Sequence, residues 1–507
     1  MRLNLKSLLA FLATYAALIV LHFPLLHLPY YWDEAGYYIP SALDFYSTWS
    51  LIPHTTLPEG HPPLVMIYLG LAWRLFGYSA WVTRAAMALV ATATVASLYA
   101  LARRIANPEI AVWSALLLAL SPLFFAQSTL VHLDLAAALF TTLAVLFLLA
   151  DQFWLYALAA SLAVLSKETA VVLLPVVWLY AWRRRRGFAA ERSNPLPPWV
   201  PLLVPLLPLA AWTLYYHNMT GFWLGNRGYL SYNVYSTHSP VRVFWSLLRR
   251  AYELFFAGFN WLLTLCAPLG IWWGRKYARL DPARLKDGPP WRSFIFLTAG
   301  LIGVYLLLLS FVGGAILPRY LLPVMPLFYL AVIAMVIRLP HFAGRLILTT
   351  VAVLFVSSWF INPPYPFPFE DNLAYADFIR LHQQAAQYLE SQPGQPRILT
   401  SWPATDELAR PFLGYVHDPL RVVPLPGFAP SDLASVPPDS YDLLYLYSRR
   451  WEPAGNLLQR YPAWLRIQGR YFDYHPQAEA DAVVARYHLR LVTRMERRGQ
   501  WVQIYSH

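Results

Sequence analysis

The sequence predicts a mostly α, polytopic membrane protein with about eleven transmembrane helices and a small α/β domain at its C-terminal end. Three observations predict it. The 507 residues are 58% hydrophobic and only 13% charged, with a mean hydropathy of +0.41, too apolar for an ordinary soluble chain. Basic clusters at Arg103-Arg104, Arg183 to Arg186, Arg275-Lys276-Arg279 and Arg284-Lys286 flank apolar runs, as cytoplasmic loops do under the positive-inside bias. Beyond the proline-rich stretch Pro363 to Pro368 the long apolar runs cease.

The elements follow in order from that bias. Arg2 and Lys6 put the N-terminus in the cytoplasm, and Ser7 to about Leu28 runs outward. This span has no small-residue cleavage site and reads as a retained helix. A long outer loop reaches about Ser79. Within it, Ser41 to Leu51 and Pro62 to Phe76 are too charged to span and read as interfacial helices. Trp81 to Leu101, Ile110 to Phe125, Leu133 to Ala150, Phe153 to Leu165 and Thr169 to Trp182 then cross alternately. Pro201 to Tyr216 exits to a polar loop, and Ser239 to Arg250 reads as a third interfacial helix. Tyr252 to Trp273, Phe294 to Val312, Tyr320 to Ile337 and Leu346 to Phe360 complete eleven spans. An odd count leaves everything after Asn362 outside.

Residues 1–362 therefore form the membrane domain, and 363–507 a soluble extracytoplasmic one. In the latter, Asn372 to Gln392 reads as an amphipathic helix. Arg397 to Trp402, Leu420 to Pro424 and Asp442 to Tyr447 read as short buried strands, and Leu489 to Glu496 with Trp501 to Ser506 as a hairpin. No Gly-rich nucleotide loop and no Cys/His metal spacing occurs there. Cys266 is the single cysteine, so no intramolecular disulfide forms. The net charge of +12 lies in the topogenic clusters, which argues against nucleic acid as a partner.

Chemistry concentrates on one side of this map. Asp33 and Glu34 sit among Tyr30, Tyr31, Trp32, Tyr37 and Tyr38 at the outer end of the first span. His61, His132, Asp134, Lys167, Glu168, Arg319 and Tyr320 also fall at outer ends or in outer loops. Ionisable groups near the hydrocarbon are costly and mark function.

The order of these motifs resembles a known group. Asp33-Glu34 is followed by Gly60-His61-Pro62-Pro63-Leu64, His132-Leu133-Asp134, Ser166-Lys167-Glu168-Thr169 and Leu317-Pro318-Arg319-Tyr320-Leu321-Leu322-Pro323. This resembles the GT-C membrane glycosyltransferases, specifically the protein O-mannosyltransferase and lipid A aminoarabinose transferase group, over about Leu8 to Phe360. The resemblance implies a polyprenyl-phosphate sugar as donor, membrane lipid as surroundings, and transfer on the extracytoplasmic face of the cell inner membrane to a lipid, glycan or protein acceptor. It implies Asp33 as the catalytic carboxylate with Glu34 beside it. Asp134 and His132 would form a second acidic position toward acceptor or donor sugar. Lys167, Arg319, Tyr320 and His61 would hold the donor phosphate. Two positions depart from the group: His61 stands where many relatives have Lys, and Trp32 where several have Arg.

The residues support that chemistry on their own terms. A lipid-phosphate sugar carries its leaving group, so no nucleotide site is needed. Asp33 can act as base within hydrogen-bond reach of a hydroxyl, and Lys167 and Arg319 suit a departing phosphate. A single displacement inverts the anomeric centre of a hexosyl or pentosyl group. No cofactor is required; the ligand types of Asp33, Glu34, Asp134, His61 and His132 suit a divalent metal, while their spacing gives it no support. A transporter or flippase of lipid-linked sugars would place polar groups near the midplane of repeated halves. An oligosaccharide ligase or polymerase would use the same groups as single-sugar transfer.

Overall fold

The computed structural model describes residues 5–186, 198–233, 239–277, 289–312, 314–428, 432–433, 435–453, 461–472, 484 and 489–507. Arg2, Arg279, Arg284 and Lys286, used above to orient the chain, lie outside the described residues.

Every apolar run picked out above falls on helix. The first is α1 (Leu5–His22), followed in the outer loop by α2 (Ile39–Thr48) and α3 (Leu64–Phe76). The bundle continues through α4 (Ala80–Ile105), α5 (Pro108–Leu120), α6 (Pro122–Gln127), α7 (Leu133–Leu149), α8 (Phe153–Ser166) and α9 (Leu173–Arg186). Next come α10 (Trp199–Leu203), α11 (Leu206–Thr220), α12 (Arg227–Asn233), α13 (Pro240–Phe255), α14 (Asn260–Tyr277), α15 (Pro289–Val312), α16 (Met325–Val336) and α17 (His341–Ser358). Among the described residues five spans are long and apolar enough to cross a membrane alone: α1 extended to Leu25, α10 with α11, and α4, α15 and α17. α13 and α14 together make a sixth, bent by 44°. The helices α3, α5, α7, α8 and α16 are apolar but shorter.

The structure corrects several span ends, among them those nearest the cavity described below. The run Ile110 to Phe125 breaks at Ser121-Pro122, where proline cannot donate to the preceding turn. Thr169 to Trp182 begins as a tight 3₁₀ turn, Glu168–Val172. Arg319 and Tyr320 lie in another 3₁₀ turn, Pro318–Leu321, so the helix starts only at Met325. The interfacial helix α13 runs on to Phe255, and α14 starts at Asn260 instead of Tyr252. Gly258 and Phe259, both at positive φ, turn the chain between them.

At the opposite end of the bundle, Arg184 pairs with Asp151 at 2.8 Å and Arg104 donates to the Leu149 carbonyl. Buried glycines let helices close there. A methyl on Gly270 of α14 would overlap the Met335 carbonyl of α16, the close approach that small residues permit between membrane helices.

The C-terminal region contains α18 (Ala374–Glu390), α19 (Ala404–Ala409) and α20 (Pro462–Phe472) around a five-stranded sheet. Its strands are β1 (Ile398–Ser401), β2 (Val422–Leu425), β3 (Leu443–Tyr447), β4 (Arg490–Arg497) and β5 (Gln500–Ser506), in the order β2-β1-β3-β5-β4. β2, β1 and β3 are parallel, and β5 pairs antiparallel with β3 and β4. α18 buries Phe378, Ile379, Ala385 and Ala386. The region is joined to one end of the bundle: the Tyr415 hydroxyl donates to the Tyr30 carbonyl at 3.0 Å, and Tyr78 donates to the Phe412 carbonyl.

Candidate active site

The chain leaves α1 through a short 3₁₀ turn and reaches Trp32, whose φ of 45° is left-handed. A bulky residue rarely accepts that conformation, at a cost on the order of 1–3 kcal/mol. Asp33 follows, capping a five-residue π-helical turn, Glu34–Tyr38. Wide turns of this kind re-aim side chains and recur at functional sites. Here the turn points Asp33 and Glu34 in different directions.

Glu34 is wholly buried away from the cavity. Arg84 of α4 grips both its oxygens at 2.5 and 2.9 Å, and the backbone amides of Tyr31 and Val131 donate to them at 2.7 and 2.6 Å. The structure thus does not place Glu34 beside Asp33 in one reacting pair. Its acceptor positions are taken by groups that fix the turn.

Asp33 faces a cavity of about 2410 Å³. Among the described residues its one side-chain partner is Arg319, whose Nη2 donates to Oδ2. Arg319 is buried and shared. Its Nη1 donates to Glu370 Oε2 at 2.9 Å and to His132 Nε2 at 2.6 Å. His132 Nε2 is then the acceptor, and its Nδ1 donates to Gln127 Oε1 at 2.5 Å. That assigns the neutral tautomer. Burial and the nearby Arg319, Lys167 and Arg84 agree, holding this imidazole well below its usual range.

Asp134 lies 3.8 Å from Arg319 Nε and accepts from Lys167 Nζ at 2.7 Å. Lys167 also sits 4.0 Å from the centre of the Tyr320 ring, a cation–π contact. Two more guanidinium groups approach that ring, Arg319 at 5.4 Å and Arg250 of α13 at 5.9 Å. Arg250 is fully buried. It donates Nη2 to the Ala315 carbonyl, while among the described residues its Nε and Nη1 have no hydrogen-bond partner.

The remaining predicted residue, His61, is on the facing loop. α11 anchors this loop, with Trp212 donating to the Gly60 carbonyl and Tyr216 to that of Pro58. His61 Nδ1 meets Glu168 at 2.9 Å, and Nε2 is 4.0 Å from Glu59. Burial acts to raise the Glu168 carboxyl, yet His61 outweighs it and holds Glu168 at about 2. Burial lowers His61, but Glu168 more than compensates, so its pKa is raised. Glu59 has weaker help and burial pushes it up to about 7.

So Asp33, His61, His132, Asp134, Lys167, Arg319 and Tyr320 converge on one cavity and its wall, while Glu34 stands apart. Among the described residues no three His, Cys, Asp or Glu side chains gather as metal ligands. Their oxygens and nitrogens are spread over separate ion pairs. Sequence reading missed four participants. Arg84 was visible as an arginine inside an apolar span. Glu370 and Asp371 form an acidic pair after the proline run; burial raises both, Glu370 to about 7 against Arg319. Arg250 gave no signal beyond its place in an amphipathic helix.

The cavity lining is mixed: Asp33, Glu59, His61, Lys167, Tyr320 and Glu370 line it together with the apolar Leu209, Leu308, Val312, Leu354 and Ile361.

Residues 60–216 match the family model for dolichyl-phosphate-mannose-protein mannosyltransferases. The structure resembles ArnT from Cupriavidus metallidurans bound to undecaprenyl phosphate, with a TM-score of 0.55 and 15% identity over 99% of this chain and 98% of that one. Against the apo state of the same protein the TM-score is again 0.55, with 15% identity over 98% of each chain. AglB, an archaeal oligosaccharyltransferase from Archaeoglobus fulgidus in complex with an inhibitory peptide and a dolichol-phosphate, gives 0.48 and 13% identity, covering 87% of this chain and 69% of that one. No curated protein matches the sequence. The chain has the ArnT-like GT-C polytopic membrane fold that its motifs foretold.

Proposed function

We propose that the protein is an extracytoplasmic glycosyltransferase that moves a hexosyl or pentosyl group from a polyprenyl-phosphate donor to an acceptor hydroxyl, with Asp33 as general base. The observation that carries this reading is the mixed lining of one large cavity. Its apolar side chains suit a polyprenyl chain, and the same cavity is lined by Lys167 and by Asp33, which is paired with Arg319. The family match over residues 60–216 and the ArnT-like fold support it. ArnT has been seen with undecaprenyl phosphate, the by-product such a reaction would release here.

In this reading the acceptor oxygen attacks the anomeric carbon while Asp33 takes its proton. The bond from that carbon to the phosphate oxygen breaks, and polyprenyl phosphate leaves with the electron pair. One displacement inverts the anomeric centre. Phosphate binding shifts from the expected set. Arg319 is turned toward Asp33 and Glu370, so it orients the base, as the third member of a catalytic chain does. Lys167, which lines the cavity beside Tyr320, takes the phosphate charge, and Arg250, buried 5.9 Å from that ring, adds to the positive field. Fixed donors in a partly dry site give the largest stabilisation of developing charge. His61, whose pKa Glu168 raises, lines the cavity at the position where related chains carry lysine.

The test is transfer by the full-length protein in nanodiscs, from a panel of undecaprenyl-phosphate hexoses and pentoses. Asp33→Asn keeps the shape and loses the base. Turnover should fall by about 10²–10⁴ with donor affinity retained. Near-normal turnover in the folded variant overturns the assignment.

A further inference from the structure

Directly beside Asp33 the cavity wall is aromatic, and no step of the reaction described above uses it. Trp32 and Trp402 meet at 5.5 Å with their planes 83° apart, forming a corner. Tyr37 closes its side, 5.4 Å from Trp402. All three are partly exposed and line the cavity. The corner is built from both ends of the chain. Trp402 follows β1 and lies so close over the π-helical turn that a methyl on Gly36 would overlap its indole. Trp32 is held in its left-handed backbone conformation one residue before the base.

Polar groups surround the corner. Arg449 sits 5.7 Å from the Trp32 ring. Glu59, Asp33 and Asp406 all lie near enough to act on the Tyr37 hydroxyl. An aromatic face carries negative charge at its centre and attracts polarised C–H bonds. A pyranose presents such a C–H face, with hydroxyls around its equator for carboxylates and a guanidinium to bind. A cationic ligand is disfavoured, because Arg449 already supplies the cation over Trp32. A bare lipid hydroxyl or a serine side chain has no ring to fill the corner.

We propose that Trp32, Trp402 and Tyr37 form the acceptor subsite, that it binds a sugar ring, and that the acceptor is a glycan. The inference rests on the transferase reading, since it makes the bound ring's hydroxyl the group that Asp33 deprotonates. Trp402 is then a specificity residue contributed by the C-terminal region.

The experiment uses saturation-transfer NMR on the full-length protein in nanodiscs, with methyl glycosides of glucose, galactose, mannose and N-acetylglucosamine as probes. At least one should receive saturation chiefly at the C–H protons of one ring face. Trp402→Ala should weaken that binding about three- to tenfold, and Trp402→Phe less. Undecaprenyl phosphate binding, measured in the same samples by ³¹P line broadening, should not change, which also shows that the variant is folded. Absence of glycoside contact overturns the proposal, as does contact indifferent to Trp402→Ala. A serine/threonine peptide that shows the Trp402 dependence in place of the glycosides also overturns it. If undecaprenyl phosphate does not bind even the unaltered protein, the transferase reading fails instead.

Discussion

Adjacent acids, Asp33 and Glu34, have opposite fates because the π-helical turn separates their directions. Glu34→Gln should leave Arg84 buried with its charge uncompensated, lowering stability by about 3–5 kcal/mol. Replacing both partners, Glu34→Leu with Arg84→Met, should recover much of that loss, because the pair bears its own desolvation cost. Denaturant midpoints in detergent would show both effects. Asp33→Asn should barely move them, and a large shift there would mean that Asp33 is structural. A second residue-scale expectation concerns pH. Glu59 and Glu370 are pushed up to about 7 by burial, against the opposing pull of His61 and Arg319 respectively. A folded-state pKa above the unfolded value means that the folded chain keeps protons that the unfolded chain releases. That stability is fully present below about pH 4 and is lost as pH rises through about 7. Thermal midpoints should therefore fall from pH 5 to pH 8, and Glu370→Gln should flatten the slope. An unchanged slope would mean that Glu370 is not the titrating group. Asp33 was legible from its place at the end of an apolar span. Glu370, which shares Arg319 with it, was not, because nothing in the local sequence links Glu370 to the first loop.

At the scale of elements, hydropathy located every apolar helix, since a chain in lipid must satisfy its backbone within each segment. It misplaced the ends that build the site. Ser121-Pro122, Glu168–Val172 and Pro318–Leu321 depart from α-helix where the cavity begins. These departures bring Lys167 and Arg319 inward, and average hydropathy cannot register a 3₁₀ turn. The short strands were legible because Arg397 to Trp402 and Asp442 to Tyr447 are apolar between turn residues, and the tight turn Arg498-Gly499 announced the hairpin. Packing between helices was invisible. Gly270→Ala tests it: the added methyl meets backbone of α16, which cannot swing aside as a side chain does. The expected loss is about 1–3 kcal/mol, seen as a lower thermal midpoint with the donor affinity unaltered. A neutral substitution would show that α14 and α16 can separate at no cost.

At the scale of the whole molecule, the basic ends of α4 and α9 and the acidic cavity lie at opposite ends of one bundle. If the basic ends face the cytoplasm, as the positive-inside bias predicts, the cavity and the sheet face outward. A tag after His507 should be reached by external protease in intact spheroplasts and protected in inverted vesicles. The reverse pattern would put the cavity in the cytoplasm and remove the extracytoplasmic acceptor. The contacts of the candidate site cross residue 362: Arg319 pairs with Asp33 from the first loop and with Glu370 from beyond the last apolar helix.

That shared arginine has a consequence for synthesis. Asp33 is made hundreds of residues before Glu370 and Trp402, so a ribosome-bound chain with every membrane helix in place still has an unfinished pocket. The cavity is complete only when the tail has docked onto the bundle. A chain truncated before residue 370 would keep the helices and lack Glu370 and Trp402 from the cavity wall.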